Sequence, residues 1–145
     1  MNTSQKSSSP GKQLVLSNLL IRAPNPNEFN LIKASWFTSY ARNSPSRGIR
    51  RDIFDREQNN LISRLLDLHP PIVVCFPAVP DEVIAWACRD QDTVQYVYTK
   101  HDFRRQRLAS LLIFGAKFYT HETKAGSKLF TRSGMLFNPY KAGLT

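Results

Sequence analysis

The stretch 95–112, QYVYTKHDFRRQRLASLL, concentrates the chemistry of this chain. Its first half, with Val97, Tyr98 and Thr99, reads as a β-strand, and its second half, from Leu108 through Leu111 and Leu112, repeats as a helix does. Between the two lie Arg104, Arg105, Gln106 and Arg107, followed by the small residues Ala109 and Ser110. A strand that turns through arginines into a helix is suited to anions. The first helical turn leaves backbone amides without partners, the helix dipole adds partial positive charge, and guanidinium groups add charge-assisted hydrogen bonds. Small residues let a phosphate come close to those amides. A second candidate is His121, which titrates near neutrality and can serve as a base. The alternative reading of His121 is a hydrogen-bonding structural residue. His69 and His101 flank turns and read as structural or solvated. No spacing of His and Cys suggests a metal site.

These residues need elements to hold them. Residues 13–21 (QLVLSNLLI) are a short apolar segment with the flanks of a strand. Asn25, Pro26 and Glu28 then mark a helix start, with Asn25 as cap, Pro26 in the first turn and Glu28 at the capping-box position. Phe29, Ile32, Trp36 and Tyr40 follow at spacings of three and four, one apolar stripe of a helix ending near Ala41. Residues 43–48 form a loop by composition. Asp52 can cap a second helix, whose buried face is Phe54, Leu61, Ile62, Leu65 and Leu66 and which His69-Pro70-Pro71 stops. Residues 72–76, 83–88 and 93–99 read as strands joined by turns short enough to make them antiparallel. Residues 104–118 read as a helix with Leu108, Leu111, Leu112 and Gly115 on one side. A strand at 117–120, a loop at 121–128 around Gly126, and a last short strand at 135–140 that breaks at Pro139 complete the order.

The stretch from Asp102-Phe103 through Arg104-Arg105-Gln106-Arg107-Leu108-Ala109 to Ser110-Leu111-Leu112 resembles motif A of the Gcn5-related N-acetyltransferase (GNAT) superfamily, Arg/Gln-x-x-Gly-x-Gly/Ala. The element order extends the resemblance over about residues 13–140. It implies an α+β fold in which a central, mostly antiparallel sheet is flanked by helices and splays between strands 4 and 5. It implies acetyl-coenzyme A as cosubstrate, with no metal. The amides from Gln106 to Ser110 would hold its pyrophosphate, and the backbone of Val97, Tyr98 and Thr99 would pair with its pantetheine arm. One departure is Arg107, which stands where the family's first glycine does. The chain is also similar to small GNAT-like proteins encoded by tailed phages and prophages. Ser35-Trp36 with Ser39-Tyr40, residues 80–86, Tyr96-Val97-Tyr98, Phe103-Arg104-Arg105, Thr120-His121 and Asn138-Pro139-Tyr140 carry that similarity. It implies a bacterial cytoplasm, with a host-directed or virion-associated role.

An N-acetyltransferase of this type needs a base for the amine, a main-chain amide for the carbonyl, and often a tyrosine for the leaving thiolate. Glu82 can supply a base if it faces the cleft; otherwise it is a solvated turn carboxylate. The family's tyrosine aligns with Phe130, which has no hydroxyl, leaving Tyr119 and Tyr140 as substitutes. Trp36 and Tyr40 either line the acceptor cleft or belong to the core.

Composition bounds these ideas. The chain has 145 residues, 41% hydrophobic and 21% charged, which fits one domain with a sizeable core. Residues 1–12, with four serines and two lysines, read as a flexible polar tail, and 13–145 as the domain. Neither a signal-peptide layout nor an apolar run of membrane-spanning length is expected. Cys75 and Cys88 lie in apolar runs and read as buried free thiols of a reducing cytoplasm, with a bridge between neighbouring strands left open. The net charge of +9 points to polyanionic partners. Three readings follow: an N-acyltransferase acting on an amine of a host or phage protein, a GNAT-fold binding module without catalysis, and a nucleic-acid binder using Arg47, Arg50, Arg51 and Arg56.

Overall fold

The computed structural model describes residues 18–43, 48–105 and 107–142. The expected tail, most of the 13–21 strand, Arg47 and Gln106 therefore lie outside the described residues. Among the described residues six strands form one sheet in chain order: β1 (Leu20–Arg22), β2 (Ile72–Cys75), β3 (Ala85–Arg89), β4 (Thr93–Thr99), β5 (Phe118–Tyr119) and β6 (Leu136–Phe137). β1 to β4 pair antiparallel, whereas β4–β5 and β5–β6 pair parallel. The helices are α1 (Pro26–Asn43), α2 (Arg51–Leu68), α3 (Leu108–Leu112) and α4 (Lys124–Arg132).

Period-two alternation divides the sheet between two layers. Val73, Cys75, Trp86, Cys88 and Tyr96 face Ile32 and Trp36 of α1 and Ile62, Leu65 and Leu66 of α2. Val74, Ala85 and Ala87 face the other way, onto Phe103 and onto Leu108 and Leu112 of α3. Because both faces are covered, β2 and β3 read as continuous apolar runs. At the start of α1 half of the capping box is made: Asn25 N donates to Glu28 Oε1 at 2.7 Å, while Glu28 N donates to the main-chain carbonyl of Asn25 at 2.9 Å. Glu28 also takes a bidentate ion pair from Arg22 at 2.8 and 2.9 Å, so β1 and α1 are locked together.

Three sequence expectations are corrected, and one question left open is decided. The helix expected over 104–118 is only Leu108–Leu112. Arg105 and Arg107 are left-handed before it, and Gly115 is left-handed after it at φ +81°. Arg89 closes its end by donating to the carbonyls of Leu112 and Phe114, both at 2.9 Å. The loop expected at 121–128 gives way at Lys124 to α4, capped by Thr123, whose Oγ1 accepts from Gly126 N at 3.0 Å. A Cβ on Gly126 would lie 2.6 Å from that oxygen, so the glycine permits a close cap and does not mark a break. Asp52 lies inside α2, whose cap is Arg50, and pairs with the Arg50 side chain. Finally, Cys75 and Cys88 are on adjacent strands but not opposite. The register sets Ile72 against Ala87, which offsets the thiols by roughly 13 Å along the strands at about 3.3 Å per residue, too far to bridge.

Candidate functional site

The site starts from an irregularity in β4. Arg89 pairs with Val94 and Cys88 with Tyr96, so Gln95 is an extra residue, a β-bulge. β5 pairs with β4 only at Thr93 and Val94, and the ladder is extended once more, by Thr120 N donating to Val94 O at 3.2 Å. β4 then continues to Thr99 with no further pairing to β5. Lys100 N donates to Ile84 O at 2.9 Å. By strict alternation the main-chain groups of Tyr98 and Tyr96 face β3, and those of Val97 and Thr99 face the side that β5 has left. The expected splay is therefore present, and the bulge lies at its apex.

The arginine loop closes the wide end of this opening. After β4 a single 3-10 turn, His101–Phe103, buries Phe103 edge-on against Phe76 at 5.5 Å. Arg104 turns back: its Nε donates to Thr99 O at 2.9 Å and its guanidinium lies 5.7 Å from the Tyr98 ring centre. Thr99 thus has its carbonyl engaged by the chain itself. Arg105 and Arg107 have φ of 64° and 70°. A left-handed residue leading directly into a right-handed helix turns successive N–H groups to one concave side, a backbone nest for anions. Arg107 holds the conformation for which glycine is ordinarily used, at a cost of about 1 kcal/mol. Its side chain is exposed, as are those of Arg104 and Arg105, while Leu108 anchors the turn in the core. Ala109 is half-buried and Ser110 exposed.

An antiparallel meander, a bulged fourth strand, a parallel fifth strand that departs from it, and an arginine turn over the gap form one arrangement. This is the arrangement that the resemblance to the GNAT superfamily implies. No family model matches the chain, and no curated protein sequence does. Among solved structures it is similar to apo YjaB from Escherichia coli, at 16% identity over 66% of this chain, with a TM-score of 0.47. That match spans 61% of the length of YjaB. It is also similar to a protein from Rhodopseudomonas palustris described as a GCN5-related N-acetyltransferase, at 14% identity over 84% of this chain and 71% of that one, TM-score 0.47.

Within this fold the other candidate residues separate. Trp36, Tyr40 and His121 come together. The His121 ring meets Trp36 edge-on at 5.3 Å, Tyr40 at 4.8 Å and Tyr96 at 6.1 Å. Trp36 is fully buried, which places it in the core, whereas Tyr40 is half-buried. Tyr96 also bonds Ser39 at 2.8 Å, and burial pushes its phenol up to about 12. His121 Nδ1 is 2.9 Å from Thr120 Oγ1 and Nε2 is 2.9 Å from Gln58 Nε2. Burial lowers its pKa to about 4, so the ring is neutral at physiological pH. Glu82 is exposed in the turn before β3 and pairs with Lys100 at 3.1 Å. Tyr119 is buried against Phe130 at 4.5 Å and Phe137 at 5.3 Å, Phe130 lies in α4, and Tyr140 is exposed.

Three features complete the map. Gln95, Thr120 and Gln58 were not among the sequence candidates, although a glutamine inside TVQYVYT is a polar residue in an otherwise apolar strand. The basic run on α2 is engaged locally, Arg50 by Asp52, Arg51 by Asp55 and Arg56 by Glu57 at 3.0, 2.7 and 3.1 Å. An open recess lined by Asp90, Gln91, Asp92, Gly115 and Lys117 lies at the Thr93 end of β4, opposite the arginine loop.

Proposed function

We propose that the chain is an acyl-coenzyme A-dependent N-acyltransferase, its cosubstrate entering between β4 and β5. The observation that carries this reading is the coincidence of the Gln95 bulge, the open main-chain edge at Val97, and the arginine nest at the mouth. An extended arm bearing amides suits a free strand edge, and a diphosphate suits a nest flanked by Arg104, Arg105 and Arg107. The bound cosubstrate would supply a thioester whose acyl carbon forms the new N–C bond as the C–S bond breaks, the amine losing a proton and the thiol gaining one. In this reading Val97 N–H and C=O would orient the arm, and the loop amides with the exposed guanidinium groups would hold the phosphates. His121, neutral and sealed beneath Tyr40, serves the scaffold, and Glu82, tied to Lys100, is the base candidate nearest the end of β4.

A binding module without turnover is the second reading. It is favoured by Phe130, a buried ring without a hydroxyl at the aligned tyrosine position. Titration calorimetry with coenzyme A, followed by thiol release from acetyl-coenzyme A over a panel of amines and peptides, separates the two. Micromolar binding with thiol release supports the transferase. Binding without release on any acceptor counts against the transferase, and no binding refutes the transferase and leaves the module.

A further inference from the structure

At the apex of the splay, four polar side chains form one directed chain. Gln95 is 1% exposed, and its Oε1 accepts from Thr120 Oγ1 at 2.7 Å. A threonine hydroxyl has one proton, so towards His121 Nδ1 at 2.9 Å it acts as acceptor, and Nδ1 carries the imidazole hydrogen. Nε2 is then bare and accepts from the Gln58 amide at 2.9 Å. Each bond of this chain thus has one donor and one acceptor, running from α2 through the two residues after β5 to the bulge of β4. Thr120 appears twice, because its main-chain N–H also makes the bond to Val94 O beyond which β4 and β5 part.

We infer that Thr120 is a positioning residue: it pins the Gln95 bulge to the end of β5 and so sets the width of the opening. The inference rests on the function proposed above for its consequence, coenzyme A affinity, but the pin is a property of the chain alone. Without the hydroxyl, the buried Gln95 amide and His121 Nδ1 each lose a partner, and a buried group without a partner moves or admits water. The bulge is the element free to move, since Gln95 has no opposite residue on β3. Replacing Thr120 by the near-isosteric valine removes both hydrogen bonds and keeps the volume.

The test has two arms on the full-length protein. Amide hydrogen exchange at position 120 is expected to quicken at least about tenfold in Thr120→Val, the equivalent of about 1.4 kcal/mol of local opening. Calorimetry is expected to show coenzyme A affinity falling by a similar factor, and Thr120→Ser, which keeps the hydroxyl, restores both. Unchanged exchange and affinity in a folded Thr120→Val overturn the inference. If the wild type takes up no coenzyme A, the proposed function fails, and the exchange arm alone decides the pin. Should Thr120→Val not fold, Gln58→Leu strips His121 Nε2 of its donor at the half-buried end of the chain. It is expected to quicken the same amide by a smaller factor, and no change there also overturns the inference.

Discussion

Acid should unfold this protein earlier than its carboxylates require, and His121 is the reason. Its ring is packed among Trp36, Tyr40 and Tyr96, and burial lowers its pKa from 6.5 to about 4. The titratable groups facing it are the phenols of Tyr40 and Tyr96, both neutral throughout this range. From α2 it meets only the uncharged Gln58. The unfolded chain takes up the imidazole proton near pH 6.5, whereas the folded chain resists it until about pH 4. Stability from this residue is therefore complete above about pH 6.5 and drains away as pH falls towards 4. At 1.36 kcal/mol for each pH unit between those values, the full loss is about 3 kcal/mol, a sizeable part of the net stability of a small domain. Urea unfolding curves at pH 7.5, 6, 5 and 4 for wild type and His121→Gln provide the assay. The wild-type curve should fall by about 3 kcal/mol more than that of the variant, most of it between pH 6 and pH 4.5. Parallel pH dependence of the two proteins would refute the reasoning.

Three further outcomes follow from local geometry. Arg107→Gly should raise the melting temperature, because left-handed strain of about 1–2 kcal/mol exceeds the roughly 0.5–1 kcal/mol of added freedom of the unfolded glycine chain; a lower melting temperature would contradict the φ of 70°. Glu28→Gln should cost about 2 kcal/mol in urea unfolding at pH 7, since it removes the charge that Arg22 grips and weakens the capping box. Arg22 holds the Glu28 carboxyl below its usual range, so that difference should shrink as acid protonates Glu28. Thr123→Ala should cost about 1 kcal/mol and fray α4 at its start, visible as faster amide exchange at Gly126.

Much of the scaffold could be read before any coordinates. β4 occupies the expected residues 93–99, because TVQYVYT is bounded by a polar turn on one side and Lys100-His101-Asp102 on the other. The Asn25 to Glu28 start of α1 was equally legible, because the Glu28 carboxylate and the Asn25 N–H that it accepts from lie within four residues. The failures share a different physics. α3 is short because Arg89, about twenty residues upstream, binds its last carbonyls, and periodicity cannot register a distant guanidinium. α4 was hidden by Gly126, whose role depends on a 2.6 Å clearance and not on turn propensity. In the site, the arginines and the strand edge were visible as residue types in order. The bulge that opens the edge comes from a register shift between β3 and β4, and the Gln58–His121–Thr120–Gln95 chain joins three elements far apart in sequence.

The placement of the two thiols has a practical consequence for anyone wishing to watch the opening move. Cys75 and Cys88 are fully buried, Cys88 is pushed up to about 12 by burial and donates to His69 O at 3.2 Å, and burial raises Cys75 as well. Thiolate is the species that reacts with maleimides, so the folded wild type should be nearly silent to such dyes. A single cysteine introduced at the exposed Ser110 would then be the one reactive handle, and a fluorophore could report on the mouth of the cleft without prior removal of the native sulfurs.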